Sequence, residues 1–274
     1  MYTGMDTTNF SITYMITIDA YTISLAILTA VASGVVGSFA LMRGMALAGD
    51  SLSHVALPGI GIALIYSFNP VLGAVTALVI GSFLIWKIER ISTLKIDAVI
   101  GVLFAVSLAI GALLITEEHE LIEALFGGFQ EISAIEFIIG SVIAISVVAF
   151  ILKRRRDLTL SLISRELAHT TGIDTGKLNL YFLLAFSFTV ILGLKFLGVL
   201  LMGALIIIPA ATARSIAQNL NHMLIISSSV AVISVLSGIV AAQVLSVPLG
   251  PVIIIIAGIL FILSLFAKAL KMVQ

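Results

Sequence analysis

The chain has no cysteine in its 274 residues. Disulfides, zinc–thiolate sites and iron–sulfur clusters are therefore excluded, and any metal ion must be held by His, carboxylate, Met or backbone oxygen. Charge is scarce too: 10% of residues are Asp, Glu, Lys or Arg, with fourteen cations against fourteen acids. A chain with zero formal charge lacks the electrostatic footprint of a nucleic-acid binder, so no nucleic-acid partner is expected. Proline occurs five times and tryptophan once. What fills the chain is apolar, at 61% hydrophobic residues and a mean hydropathy of +1.26. That balance leaves too little polar surface to cover a water-facing core. An all-α, polytopic integral membrane protein is predicted, with the lipid bilayer as its surroundings.

Apolar stretches fall at roughly 20–42, 52–67, 70–88, 97–116, 133–152, 178–195, 197–213, 223–245 and 249–270. Most reach the about 20 residues that carry a helix across the hydrocarbon core. The second is short and contains Pro58. The segment Lys195-Phe196-Leu197-Gly198 leaves almost no connection between the sixth and seventh, so these could be one broken helix plus a re-entrant piece. Eight to nine transmembrane helices are expected, in one transmembrane domain over 20–274. Residues 1–19, polar and aromatic, read as an extracytoplasmic or interfacial lead-in. The first twenty residues carry no Lys or Arg, unlike the start of a secretory signal peptide.

The cations orient the chain. With nine spans and the N-terminus outside, every Lys and Arg except Lys195 falls on the cytoplasmic side, as does the C-terminus. The acidic loop Glu117-Glu118-His119-Glu120, with Glu123 and Glu131, is then extracytoplasmic and reads as a solvated loop. The longest polar interruption, about 153–177, contains an amphipathic pattern over Leu160–Ala168. That pattern predicts a short cytoplasmic helix within 159–172 that needs a partner or the membrane surface.

Asp50 and His54 stand four residues apart inside this apolar chain. On a helix, such positions stack on one face, where a carboxylate and an imidazole can reach one divalent cation. Ionisable groups at membrane depth are costly and mark ion paths or polar contacts. Two copies around a two-fold axis would supply four N/O ligands and a charge of about −2, suited to Zn, Mn or Fe(II). The competing reading has Asp50 capping the second span, helped by Ser51 and Ser53, with His54 in a local hydrogen bond. Both readings stand at this point. Gly34, Gly37, Gly44, Gly49, Gly59 and Gly61 permit close helix packing. Pro58 and Pro209 each remove a helix hydrogen bond and can kink a span beside a pathway. His169 and His222 read as ordinary polar contacts. Gly172-Ile173-Asp174-Thr175-Gly176-Lys177-Leu178 is not a phosphate loop, because one spacer residue and the Ser/Thr are missing and no strand precedes it. Gly-x-Ser-x-Gly and His-Glu-x-x-His are absent as well, so no enzyme activity is expected.

The run Arg43-Gly44-Met45-Ala46-Leu47-Ala48-Gly49-Asp50-Ser51-Leu52-Ser53-His54-Val55-Ala56-Leu57-Pro58-Gly59 resembles the signature of the permease subunits of zinc/manganese ABC importers. Asp97-Ala98-Val99-Ile100-Gly101 is similar to the opening of that family's fourth span. Leu200 to Arg214, ending Pro209-Ala210-Ala211-Thr212-Ala213-Arg214, resembles its apolar run with a Pro-Ala-Ala-Thr-Ala-Arg end. Arg165-Glu166-Leu167-Ala168 to Gly172-Ile173 resembles its coupling helix, although Arg165-Glu166 stands where a more acidic start is the pattern.

The resemblance implies an importer-type ABC permease in a prokaryotic cell membrane. It implies a homodimer, two cytoplasmic ATPase subunits and an extracytoplasmic metal-binding protein. No cofactor is permanently bound; Zn2+ or Mn2+ is cargo, and ATP acts on the partner subunit. By the same similarity, Asp50 and His54 line the metal pathway. Ser164, Arg165, Glu166, Leu167, Ala168 and Gly172 meet the ATPase. Arg43, Met45, Gly49, Ser53, Pro58, Pro209 and Arg214 belong to pathway or gating helix packing. The alternative is a stand-alone divalent metal transporter, proton-coupled or channel-like, using the same pair without an ATPase.

Overall fold

The computed structural model describes residues 20–45, 48–92, 96–115, 125 and 132–273. The lead-in 1–19 and the acidic loop with His119 lie outside the described residues. Ten helices and no strand occur among those described. They are α1 (Ala20–Met42), α2 (Ala48–His54), α3 (Leu57–Ile65), α4 (Pro70–Ile91) and α5 (Ile96–Leu114). After these come α6 (Ala134–Ile163), α7 (Arg165–Thr170), α8 (Thr175–Ile216), α9 (Leu220–Leu245) and α10 (Leu249–Val273). Among the described residues, eight helical segments are long and apolar enough to cross a membrane, counting α8 as two. The chain is a multi-pass membrane protein of the helix number expected.

Local chemistry sets the helix starts. Asn69 accepts the Val71 N–H at 2.8 Å, with Pro70 as the first residue of α4, where its missing N–H costs nothing. Ser133 and Glu136 form a reciprocal capping box at α6. Asn219 accepts the His222 N–H at 2.9 Å to begin α9.

The sixth and seventh spans meet at Gly198, whose φ of 66° and ψ of −179° lie in a region open essentially to glycine alone. The chain reverses there. Met202 packs back against Gly193, and Thr175–Leu194 (α8a) and Leu197–Ile216 (α8b) are each long and apolar enough to form a span of their own. Helical dihedrals continue through Pro209, so the break in α8 lies at Gly198 and not at the proline. α8 is the hub of the bundle and touches α1, α2, α4, α6, α9 and α10.

Pro58 does not kink the second span from within. That span is two helices, and Pro58 sits in the first turn of α3, where it breaks no helix hydrogen bond. Between α2 and α3 the chain tightens: Val55 N–H donates to Leu52 O and Ala56 N–H to Ser53 O, each at 3.1 Å. α3 and α4 then approach backbone to backbone at Gly59 and Gly73, where a Cβ on either would overlap the other's carbonyl oxygen. Buried hydroxyls join other helices. Ser227 of α9 donates to Gly34 O of α1 at 2.9 Å, and Ser82 of α4 meets Ser187 of α8 at 2.7 Å.

The fifth apolar span runs further than its hydropathy indicated. α6 has 30 residues, about 45 Å at 1.5 Å per residue, longer than a hydrocarbon core of about 30 Å. Lys153 to Ile163 belong to it, so the amphipathic stretch expected within 159–172 is split at Ser164. Ser164 is extended (φ −156°, ψ 124°) and its hydroxyl accepts the Leu167 N–H at 3.2 Å, which starts the separate six-residue α7. A capping hydroxyl here overrode the continuous helical periodicity.

Gly59→Ala is expected to cost about 1–3 kcal/mol or more, because its nearest neighbours are backbone atoms that cannot step aside. Gly258→Ala in α10 meets open space and should gain about 0.5–1 kcal/mol from helix propensity. Thermal unfolding of the detergent-solubilised protein checks both; equal melting temperatures would refute the α3–α4 contact.

Candidate functional site

The site begins where α1 ends. Gly44 N–H donates to Leu41 O at 3.2 Å and Met45 N–H to Ala40 O at 3.0 Å, closing α1 in a tight turn. After it α2 starts at Ala48, so Asp50 lies in the first turn of that helix rather than at its cap. Positions 50 and 54 are one turn apart on α2. Around His54 the chain is dry: Met45, Leu52 and Ser53 are buried, and His54 is 4% exposed. Its ring meets the Phe104 ring of α5 edge-on, with centroids 5.0 Å apart. Val55 fills the space over Gly81 of α4, and Leu57 that over Gly111 of α5. α2 is thus held against α5 and the α8 hub. Among the described residues, no three His, Asp or Glu side chains of one chain converge as a metal-binding set.

A second constellation lies where the basic ends of the spans converge. Arg43 Nη1 donates to Asn179 Oδ1, and Asn179 Nδ2 donates to Glu89 Oε2. The Arg43 guanidinium also sits 4.3 Å from the centroid of the Phe182 ring. Trp86 Nε1 donates to Gly176 O at 2.8 Å, and Arg90 lies over the Trp86 ring at 5.1 Å. A cavity of about 380 Å3 opens here, lined by Arg43, Met45, Trp86, Glu89, His169 and Asn179 among others. The same end carries Arg155 donating to Asn221 at 3.0 Å and Arg214 reaching Leu41 O at 3.5 Å. These contacts gather the basic ends of α1, α4, α6, α8 and α9, as expected from the distribution of cations.

α7 lies at this end. Glu166 and Leu167 are exposed, whereas Ala168 is fully buried. Ile173 N–H donates to Ala168 O at 3.0 Å and Gly172 N–H to His169 O at 3.1 Å, closing the helix. Asp174 then caps α8 by accepting the Lys177 N–H at 3.0 Å.

Of the residues singled out in the sequence, Arg43 and Met45 share the cavity with His169, which lies in the last turn of α7 next to Ala168. Ser53 is buried beside His54. Pro58 opens α3. Pro209 stands within α8b and Arg214 close to its end, against α1 rather than α2. Glu89, Trp86 and Asn179 were not foreseen. Glu89 looks like one more charge beside Lys87 and Arg90, and Asn179 like a polar residue near a span start. The one available signal was an acid set among cations at a span end.

A model of the ABC 3 transport family matches residues 14–268. The manganese transport system membrane protein MntC of Halalkalibacterium halodurans is 34% identical, over 88% of this chain and 84% of its own length. The high-affinity zinc uptake system membrane protein ZnuB of Haemophilus influenzae is 30% identical, over 85% of this chain and 90% of its own. Among solved structures, PsaBC from Streptococcus pneumoniae in complex with Fab has a chain that is 25% identical. It superimposes with a TM-score of 0.78 over 90% of this chain and 91% of that one.

The Lys177 backbone N–H holds the Asp174 carboxyl below its ordinary value of 3.8, so the charged cap favours the folded state. With the folded value depressed, this contribution is present above pH 3.8 and is lost as pH falls through the lower folded value. Asp174→Ala is therefore expected to lower the melting temperature at pH about 7, and by less at pH about 3. Thermal scans at the two pH values check this; an equal decrement at both would remove the charge from the account.

Proposed function

The chain belongs to the ABC 3 transport family, and we propose that it is the permease subunit of an ATP-driven importer of Zn2+ or Mn2+. The observation that carries this reading is one carboxylate and one imidazole position a single turn apart on a short, packed helix, in a chain whose relatives bear the names of manganese and zinc uptake systems. Two copies related by a two-fold axis bring together two Asp50 and two His54, a donor set suited to either ion. Their carboxylate charge offsets the cost of holding a dication in low dielectric.

In this reading an extracytoplasmic binding protein delivers the ion without its water. Two cytoplasmic ATPase subunits engage the α7 region. The exposed Glu166 and Leu167, with Arg165, form the docking face, while Ser164 and Gly172 close the two ends of the helix and buried Ala168 anchors it. Met45, Gly49, Ser53 and Pro58 hold α2 and the start of α3 in position. Pro209 and Arg214 serve the α8b side of the packing. Because His54 is 4% exposed against Phe104, access to its imidazole requires α2 and α5 to separate, which fits a site opened alternately to the two sides. The chain carries no phosphate loop, so the power stroke comes from the partner.

The test is uptake of radioactive Zn2+ and Mn2+ by cells bearing the whole transporter. Asp50→Ala and His54→Ala are each expected to cut uptake at least about ten-fold, since even residues behind metal ligands matter to that degree. The assembly with the ATPase should stay intact. Normal uptake in both variants would refute the pathway role, and metal entry without an ATPase would favour the stand-alone transporter.

A further inference from the structure

We propose that Asn179 is a positioning residue that transmits movement of α7 to the Asp50–His54 helix; this rests on the importer reading above. Its amide faces a cation on one side and an anion on the other. Arg43 can only donate and Glu89, as a carboxylate, can only accept. The Asn179 oxygen therefore takes the Arg43 hydrogen bond while its nitrogen gives one to Glu89. One planar amide joins the end of α1, the last turns of α4 and the beginning of α8, with no net charge across the three residues.

The position of Asn179 in the chain gives that bridge direction. α7 ends at Thr170, and α8 begins at Thr175, four residues before Asn179. Between them the chain is held by Ile173 N–H on Ala168 O and by the Asp174 cap, so a displacement of α7 is passed to the first turn of α8. Trp86 grips that same turn through Gly176 O. On the other side of the amide, Arg43 is seated on α8 a second time through the Phe182 ring, one turn beyond Asn179. Arg43 opens the short segment that leads into α2, and Met45 of that segment is buried and hydrogen-bonded to α1. A shift of the first turns of α8 thus reaches, through the Asn179–Arg43 contact, the segment that leads into α2.

The role is separable from simple stability because polarity can be exchanged. In Asn179→Leu both hydrogen bonds go. In Asn179→Asp alone, two carboxylates face each other. Asn179→Asp combined with Glu89→Gln restores a donor facing an acceptor, an anion for Arg43 and zero net charge.

The experiment reconstitutes the complete complex, permease with ATPase and metal-loaded binding protein, in liposomes and measures metal ions taken up per ATP hydrolysed. Asn179→Leu and Asn179→Asp are expected to keep hydrolysis within about two-fold of wild type while lowering that ratio about ten-fold, within the range of a typical inter-site coupling. The double variant should recover most of the ratio, the signature of a direct pairwise interaction. An unchanged ratio in Asn179→Leu, a parallel loss of hydrolysis and uptake in both single variants, or no recovery in the double variant would each overturn the role of Asn179. Where Asn179→Leu does not assemble, the comparison of Asn179→Asp with the double variant decides by the same criteria. A wild-type complex that takes up no metal overturns the importer reading itself, which none of the variant outcomes does.

Discussion

In a bilayer core no water is present to satisfy backbone N–H and C=O groups, so the chain must satisfy them itself. Every other feature of this fold follows from that constraint. It makes the described spans helical and leaves no strand among them. It also removes the hydrophobic effect as a force between helices, because lipid is as apolar as a leucine side chain. Close backbone approach and small hydroxyls do the joining instead. Gly59 and Gly73 let α3 and α4 touch, and Ser227 and Ser82 supply polar contacts between α9 and α1 and between α4 and α8.

The same constraint decides where the helices can break. Irregular backbone at membrane depth is tolerated when protein surrounds it. The α2–α3 break passes through Val55 and Ala56, both buried, and the Gly198 reversal lies between buried Leu197 and Val199. Each interruption is enclosed by neighbouring helices. The first also ends α2 at His54, so that the imidazole stands at a helix end packed on Phe104 instead of midway along a continuous span. A short helix of this kind can shift more independently than a long one, as the pathway role proposed for His54 requires.

Arg43, Arg90, Arg155 and Arg214 gather at one end of the bundle, where each makes a polar or ring contact. Arg43, Asn179 and Glu89 tie three helices together, and Trp86 and Arg90 hold the first turn of α8. α7 adjoins this cluster: its His169 lines the same cavity of about 380 Å3 as Arg43, Trp86, Glu89 and Asn179.

The sequence by itself determined the class, the positions of most spans, the clustering of cations at one end and the Asp50–His54 spacing. These depend on composition, on the length of apolar runs and on helical periodicity, all of which are local. It did not determine how the ambiguous spans break, because Pro58 can sit within a helix or at its start and Gly198 can end a span or interrupt one; neighbouring helices decide between these. It ended the fifth span at 152 and left 153–158 in a polar interruption because cations reduce hydropathy without disfavouring helix, and only the Ser164 cap ends α6. The Arg43–Asn179–Glu89 bridge was invisible for a related reason. Its members are 46 and 90 residues apart in order along the chain (43 to 89, 89 to 179), and their meeting depends on how α1, α4 and α8 pack, which only the tertiary structure decides.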